Sequence, residues 1–171
     1  PISLWFSATE FLAPHWRALA TGDTEGVARL RRAFVDTAEQ QLRVQAAAAR
    51  AMFGRDPAHI WLIHGTPLAA DCLDAILDRF EAAGVVFVPL EEAMADPMNH
   101  EAVPIVTPRF LNQVQKWAEV KGVPIEDCPP AILHEIDRIA PMTGHSTPEV
   151  MGRVFRAISD SVGGAFFPKM Y

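Results

Sequence analysis

A chain of 171 residues is long enough for one ordinary domain with a hydrophobic core. Half of its residues are hydrophobic and 21% are charged, a balance that excludes wholesale disorder. The formal net charge of −6, without any segment dense in Lys and Arg, argues against nucleic acid as a partner. No apolar run in the sequence reaches membrane-spanning length.

The first third of the chain contains a short apolar segment and a long amphipathic one. Residues 2–7 are mostly apolar and predict a first β-strand. Residues 11–20 contain a proline and predict a loop followed by a turn of helix. A long helix is expected from Asp23 or Thr24, because apolar residues then recur at steps of three and four as far as Gly54.

The stretch from Ile60 to Pro67 points most directly to chemistry. Its four consecutive apolar residues, 60–63, predict a strand buried on both faces of a parallel sheet. His64 follows at the strand end, and Thr66 with Pro67 is suited to cap and begin a helix. Ligands of α/β folds bind at the carboxyl ends of parallel strands, so His64 is a candidate functional residue.

A further helix and strand follow in the same order. Residues 67–83 repeat the helical periodicity, and Gly84 stands at the expected end of the helix. Residues 85–88, Val-Val-Phe-Val, predict another buried strand, so that strand, helix and strand form a right-handed βαβ unit. A short helical piece is expected over 91–95, and the Asp-Pro pair at 96–97 ends it. The predicted fold class is therefore α/β.

The chain changes character at residue 98, where prolines become frequent and no further buried strand is predicted. Three helices are expected there, and they begin at Thr107, Pro130 and Ser146. The first of them is expected to end near Gly122. We therefore expect two parts, an α/β part over residues 1–97 and a helical extension over 98–171 that packs on it.

Six histidines raise the question of a metal site. His59 and His64 are five residues apart across a strand and would point to opposite faces, so they are poor joint ligands. His59 and His145 are expected at the surface, and the sequence has no HExxH or HxxxH pattern. A metal site made wholly within this chain is therefore not expected. His64 itself has two interpretations, a turn residue bonded to the backbone or a catalytic group.

A pattern that includes His64 extends over four segments, residues 51–55, 60–64, 73–80 and 83–97. Within it, Leu62-Ile63-His64 forms a Leu-x-His motif, and a Leu-x-Glu-Ala segment begins at Leu90. The pattern resembles the closing third of the polysaccharide deacetylase (NodB-homology) family of carbohydrate esterases. The resemblance covers residues 1 to about 97 and is strongest over 49–97.

The resemblance implies a partial (β/α) barrel, because only the carboxyl-terminal part of the family's catalytic domain is represented. It also implies a divalent metal, commonly zinc, held by an Asp and two His in earlier motifs, and hence by ligands outside this chain. The missing strands would come from upstream sequence or from another chain. Members of the family are commonly exported, which would place the protein in the periplasm or outside the cell.

The resemblance assigns roles to two residues of the Leu-x-His motif. Water activated by the metal would attack an acetyl carbonyl. Leu62 would line the pocket for the acetyl methyl group, and His64 would act as general acid to the leaving amine. An imidazole suits that task because its ordinary pKa lies near neutral pH.

Three functions stay open from the sequence. The first is a metal-dependent, deacetylase-like hydrolase that removes acetyl groups from an amino sugar or a related carbohydrate. The second is a non-catalytic relative that keeps the barrel and uses the neighbourhood of Trp5, Phe6 and Trp61 to bind a ligand or partner. The third is an α/β-type serine hydrolase, which is weaker because Pro148 stands where a nucleophile elbow around Ser146 requires glycine.

Overall fold

The computed structural model describes residues 1–4, 9–107, 109 and 111–125. Six α-helices lie in this part of the chain, and they are α1 (Thr9–Thr21), α2 (Thr24–Phe53), α3 (Pro67–Ala82), α4 (Leu90–Ala95), α5 (Pro97–His100) and α6 (Gln113–Lys121). The described residues fall into two compact units, residues 9–30 and the remainder, and the boundary runs inside α2. The separate division expected at residue 97 stays a prediction.

The prediction of an α/β fold with a partial (β/α) barrel is wrong. The described chain is mostly helical and contains no β-sheet. Within the described residues, two of the three expected strands meet only at an isolated parallel bridge between Leu4 and Trp61. The third, residues 85–88, pairs with no strand in the described part of the chain. An apolar run becomes a strand only where neighbouring segments complete its hydrogen-bond ladder.

The N-terminal segment holds residues 60–62 through a small set of hydrogen bonds. The N–H groups of Ser3 and Leu4 both donate to the carbonyl of Ile60, at 3.0 and 2.9 Å. In the other direction, the N–H of Leu62 donates to the carbonyl of Leu4 at 3.2 Å, and the N–H of Ile60 donates to the Ser3 hydroxyl at 2.7 Å. The segment that leads to His64 is therefore anchored along its length.

Residues 9–30 contain α1 and the beginning of α2. The loop predicted over 11–20 is wrong, because this stretch is helical even though Pro14 lies inside the helix. Proline removes one backbone hydrogen bond. Phe11, Pro14 and Ala18 are nevertheless all buried on one helical face, so apolar burial outweighs that loss.

The long helix predicted from residue 24 to Gly54 is confirmed as α2. The carboxylate of Asp23 accepts the N–H of Gly26 at 2.8 Å and so caps the first turn. Gly54 adopts a φ of 66°, the left-handed conformation that glycine reaches without strain at a helix end.

The helix predicted after Thr66 is confirmed as α3, and it lies beside α2 within the larger unit. The hydroxyl of Thr66 accepts the N–H of Ala69 at 3.1 Å, which is the expected cap. Three ion pairs connect the helices, Arg79 with Glu39 at 2.6 Å, Arg79 with Asp36 at 3.8 Å and Arg31 with Asp71 at 2.5 Å. The side-chain hydrogen bonds from Arg43 and Arg79 lower the pKa of Glu39.

A hydrophobic cluster joins the end of α2 to α5 and α6. Its buried members are Ala48, Ala49, Met98 and Val114, and its partly buried members are Met52, Phe53, Trp117 and Ile125. The rings of Phe53 and Trp117 meet edge to face with centroids 5.7 Å apart. The indole N–H of Trp117 donates to the carbonyl of Met98 at 3.0 Å, which fixes α6 against α5.

The helix expected from Thr107 begins later than predicted, because Asn112 and Gln115 form a reciprocal capping box at the start of α6. Its end is confirmed at Gly122, which has a φ of 66°. The helices expected from Pro130 and Ser146 lie outside the described residues. None of the helices in the described ranges has the length and apolar character needed to cross a membrane.

Candidate functional site

The candidate site lies in the segment that joins α2 to α3, residues 54–66. The side chain of His64 is exposed at the end of the anchored stretch. The carbonyl of His64 accepts the N–H of Thr66 at 2.8 Å, so its backbone forms the turn into α3. Both interpretations made from the sequence therefore stay open, because the backbone is held in a turn while the imidazole faces solvent.

The other expected site residues differ in their surroundings. Leu62 and Trp61 are half-buried and belong to the same segment as His64. The ring of Trp61 packs against Phe80 of α3, with centroids 5.1 Å apart and the planes tilted by 54°. One face of Trp61 is thus occupied by α3. Trp5 lies outside the described residues, so its expected role stays a prediction.

Asp96 binds the start of this segment to the junction of α4 and α5. Its carboxylate accepts two hydrogen bonds from the guanidinium of Arg55, each at 2.7 Å. It also accepts the N–H of Ala58 at 3.0 Å and caps α5 through the N–H of Met98 at 2.9 Å. The side-chain hydrogen bonds from Arg55 hold the pKa of Asp96 at about 2, against an ordinary value of 3.8.

Asn99 bonds the other polar group of the Ala58 backbone, its carbonyl. Its side-chain amide donates to the carbonyl of Ala58 at 2.8 Å and to the carbonyl of Ala93 at 2.9 Å. Both polar groups of the Ala58 backbone are therefore bonded to side chains from the 96–99 turn. Together with the bonds from Ser3, this fixes the path of the chain toward His64.

His59, which was expected at the surface, is half-buried. Its Nδ1 atom is buried, and no hydrogen-bond partner contacts that atom among the described residues. Burial lowers the pKa of His59, and the negative charges of Asp96 and Asp56 and the backbone of Ser3 oppose that effect. His59 is therefore a packed residue of the anchored segment. The surface position expected for His145 concerns a residue outside the described ranges.

Asp96, Asn99 and Ser3 were missed by reasoning from the sequence, which took the Asp-Pro pair at 96–97 only as the end of a helix. An aspartate directly before a proline also matches a helix start, with the acid as cap and proline in the first turn. The sequence therefore also contained the signal for a helix start at residues 96–97. What the pattern could not show is that the same carboxylate also bonds Arg55 and Ala58, which are distant in sequence.

The described residues contain no group of three or more His, Cys, Asp or Glu side chains that could hold a metal ion. The two acids whose charges act on His59 are already engaged, since Asp96 bonds Arg55 and Asp56 bonds Arg50. This part of the chain therefore does not fit a divalent metal by itself.

Comparison with known proteins yields no matching family model, no matching curated protein and no matching solved structure. The candidate site therefore rests on the chain's own residues and on their geometry.

Proposed function

We propose that this chain contributes a general acid, His64, to a hydrolase that removes acetyl groups from an amino sugar or a related carbohydrate. The observation that supports the proposal is the anchored 58–62 segment, which ends in an exposed imidazole two residues beyond Leu62. A general acid must be held in a fixed position relative to the leaving group. The hydrogen bonds from the N-terminal segment and from Asp96 and Asn99 hold the backbone that leads to His64 in such a position.

In this reaction the oxygen of water bonds to the acetyl carbon and its proton passes to solvent. The bond between the acetyl carbon and the amino-sugar nitrogen breaks, and its electron pair goes to the nitrogen. The protonated ring of His64 donates its proton to that nitrogen, so that the amine leaves as a neutral group. Leu62 contributes apolar surface for the acetyl methyl group. After the step the imidazole is neutral and recovers a proton from water.

The metal expected from the resemblance would polarise the carbonyl and activate the attacking water. The described residues do not fit such an ion. The proposal therefore assigns its ligands to residues other than the described ones, and the resemblance implies that these come from upstream sequence or from another chain. No step assigned to His64 depends on their geometry.

The test measures acetate released from a chitin oligomer by the zinc-loaded assembly of this chain with the upstream or partner polypeptide that supplies the metal ligands. The variants are His64→Ala and His64→Gln, and the matched control is His100→Ala, which removes an exposed histidine of α5. We expect the His64 variants to lose about 100-fold or more of the rate, since general acid catalysis contributes on that order. The control should keep the rate.

Equal rates in the His64 variants and the parent chain would remove His64 from the mechanism. Saturable binding of the oligomer without acetate release would support the non-catalytic alternative instead. Labelling by a fluorophosphonate probe would indicate a serine hydrolase.

A further inference from the structure

Residues 85–88, between α3 and α4, expose apolar side chains to solvent. Val86 is 80% exposed, Phe87 50% and Val88 40%. Leu90 and Met94, which follow in α4, are also exposed, at 58% and 38%. Single exposed apolar residues are ordinary, but a consecutive run of this kind marks a candidate interaction surface.

Most of the backbone of the same run also lacks a hydrogen-bond partner among the described residues. The N–H of Val85 donates to the carbonyl of Phe80 at 3.0 Å. Beyond that bond, the described residues offer no hydrogen-bond partner to the backbone groups of residues 86–88. Valine and phenylalanine favour β-strands, and unpaired N–H and C=O groups beside such side chains are a template for pairing with another strand.

The run has fixed ends, which limits the length of a partner. Gly84, with a φ of 86°, turns the chain out of α3, and Pro89 stands directly before α4. Proline has no N–H to donate and closes the row of backbone donors. A pairing strand can therefore engage about four residues of this run.

The charges around the run are acidic. The sequence contains no Lys or Arg from residue 80 to residue 108. Glu81, Glu91 and Glu92 are exposed, whereas the carboxylate of Asp96 is bonded to Arg55. A second copy of the run would bring these acids together, and like charges oppose that pairing. A strand flanked by basic residues meets complementary charge.

We propose that residues 85–88 bind, by strand addition, an apolar segment of a partner polypeptide that carries Lys or Arg on its flanks. Backbone hydrogen bonds to residues 86–88 give the affinity, and the acids at positions 81, 91 and 92 select the basic flanks. This surface is independent of the reaction proposed for His64.

The probe is the fluorescein-labelled peptide Lys-Lys-Val-Thr-Ile-Thr-Val-Lys-Lys, titrated with the full chain and followed by fluorescence anisotropy. Two comparison peptides keep the core but carry glutamate flanks, or N-methyl groups on every core amide. We expect saturable binding of the lysine peptide, binding at least about tenfold weaker for the glutamate peptide, and none for the N-methylated peptide.

A charge reversal on the protein tests selection without altering its core. The double variant Glu91→Lys with Glu92→Lys should bind the lysine peptide more weakly and the glutamate peptide more tightly than the parent does. Phe87→Asp should abolish binding of both, and Val106→Asp, which changes a fully exposed valine elsewhere, is the control that should bind as the parent does.

Three binding results would overturn the proposal. They are the absence of saturable binding at millimolar concentrations of the chain, equal binding of all three peptides, and unchanged preference in the charge-reversed variant. Concentration-dependent dimerisation in sedimentation that Phe87→Asp abolishes would place a second copy on this surface and would also overturn it.

Discussion

Replacing Asp96 by asparagine removes one charge from the junction that holds the candidate segment. The carboxylate side chain is 11% exposed and accepts four hydrogen bonds, from Arg55, Ala58 and Met98. Asparagine has nearly the same shape but only one acceptor oxygen. The variant therefore loses the bidentate pairing with Arg55, and the N–H of Ala58 loses its partner or shares it.

The magnitude follows from the pKa of Asp96, which is about 2 in the folded protein and 3.8 ordinarily. That difference corresponds to about 2 kcal/mol of folding free energy. Because the folded pKa is the lower one, the contribution is fully present above about pH 5. It is lost as the pH falls through 3.8 toward 2, and it disappears only below about pH 2, where the carboxylate is protonated in both states.

The assay is urea unfolding followed by far-ultraviolet circular dichroism, from pH 7 down to pH 2. We expect Asp96→Asn to lower the free energy of unfolding by about 2 kcal/mol at pH 7, and the difference from the parent to shrink toward zero near pH 2. The control is Asp56→Asn, whose ion pair with Arg50 is exposed on both sides, so its effect should stay below about 1 kcal/mol. A loss for Asp96→Asn that is the same at every pH would refute the electrostatic origin.

Two further predictions concern packing and capping in the larger unit. Met98→Ala should lower the free energy of unfolding in urea by about 2–5 kcal/mol, because Met98 is fully buried in the hydrophobic cluster. The control is Met94→Ala, which changes an exposed residue and should cost far less. Equal losses in the two variants would contradict the packing of the cluster. Thr66→Ala should lower the free energy of unfolding by about 1 kcal/mol, because the Thr66 hydroxyl accepts the N–H of Ala69 and caps α3. Thr66→Ser should keep most of that stability, and a serine variant as unstable as the alanine variant would argue against the cap.

The long helices were predictable because their signals are local. Apolar periodicity with a capping residue at one end and glycine at the other gave α2 and α3 within a residue or two. The loop predicted over 11–20 was wrong because Pro14 was weighed as a breaker, while the burial of its helical face depends on packing. The start of α6 was misplaced because the helix was expected to begin at Thr107, whereas the capping box of Asn112 and Gln115 begins it.

The strands were not predictable from the runs alone, because a strand is defined by its neighbours. Ile60 and Leu62 do bond the N-terminal segment, in the parallel sense that the α/β pattern favours. Residues 86–88 have the same composition and no partner in the described chain, so they remain exposed. Composition reports the tendency of a segment, whereas pairing depends on contacts distant in sequence.

The candidate site was predictable only in part. The position of His64 at the end of an apolar segment before a capped helix came directly from the sequence, and its exposure agrees with either interpretation. The bonds that fix the segment connect Ala58 with Asp96 and Asn99, about forty residues away. Such long-range side-chain bonds leave no periodic pattern, so the sequence could not reveal them.

The segment before His64 is anchored by hydrogen bonds, whereas the described residues offer none to the backbone of the apolar run over residues 86–88. Amide hydrogen exchange, resolved by residue, tests this contrast most directly. We predict that the amides of Ile60 and Leu62 are protected, because they donate to the Ser3 hydroxyl and the Leu4 carbonyl. The amides of residues 86–88 should exchange as fast as those of an unstructured peptide. Strong protection of residues 86–88 in the isolated chain, or fast exchange at Leu62, would contradict this structure.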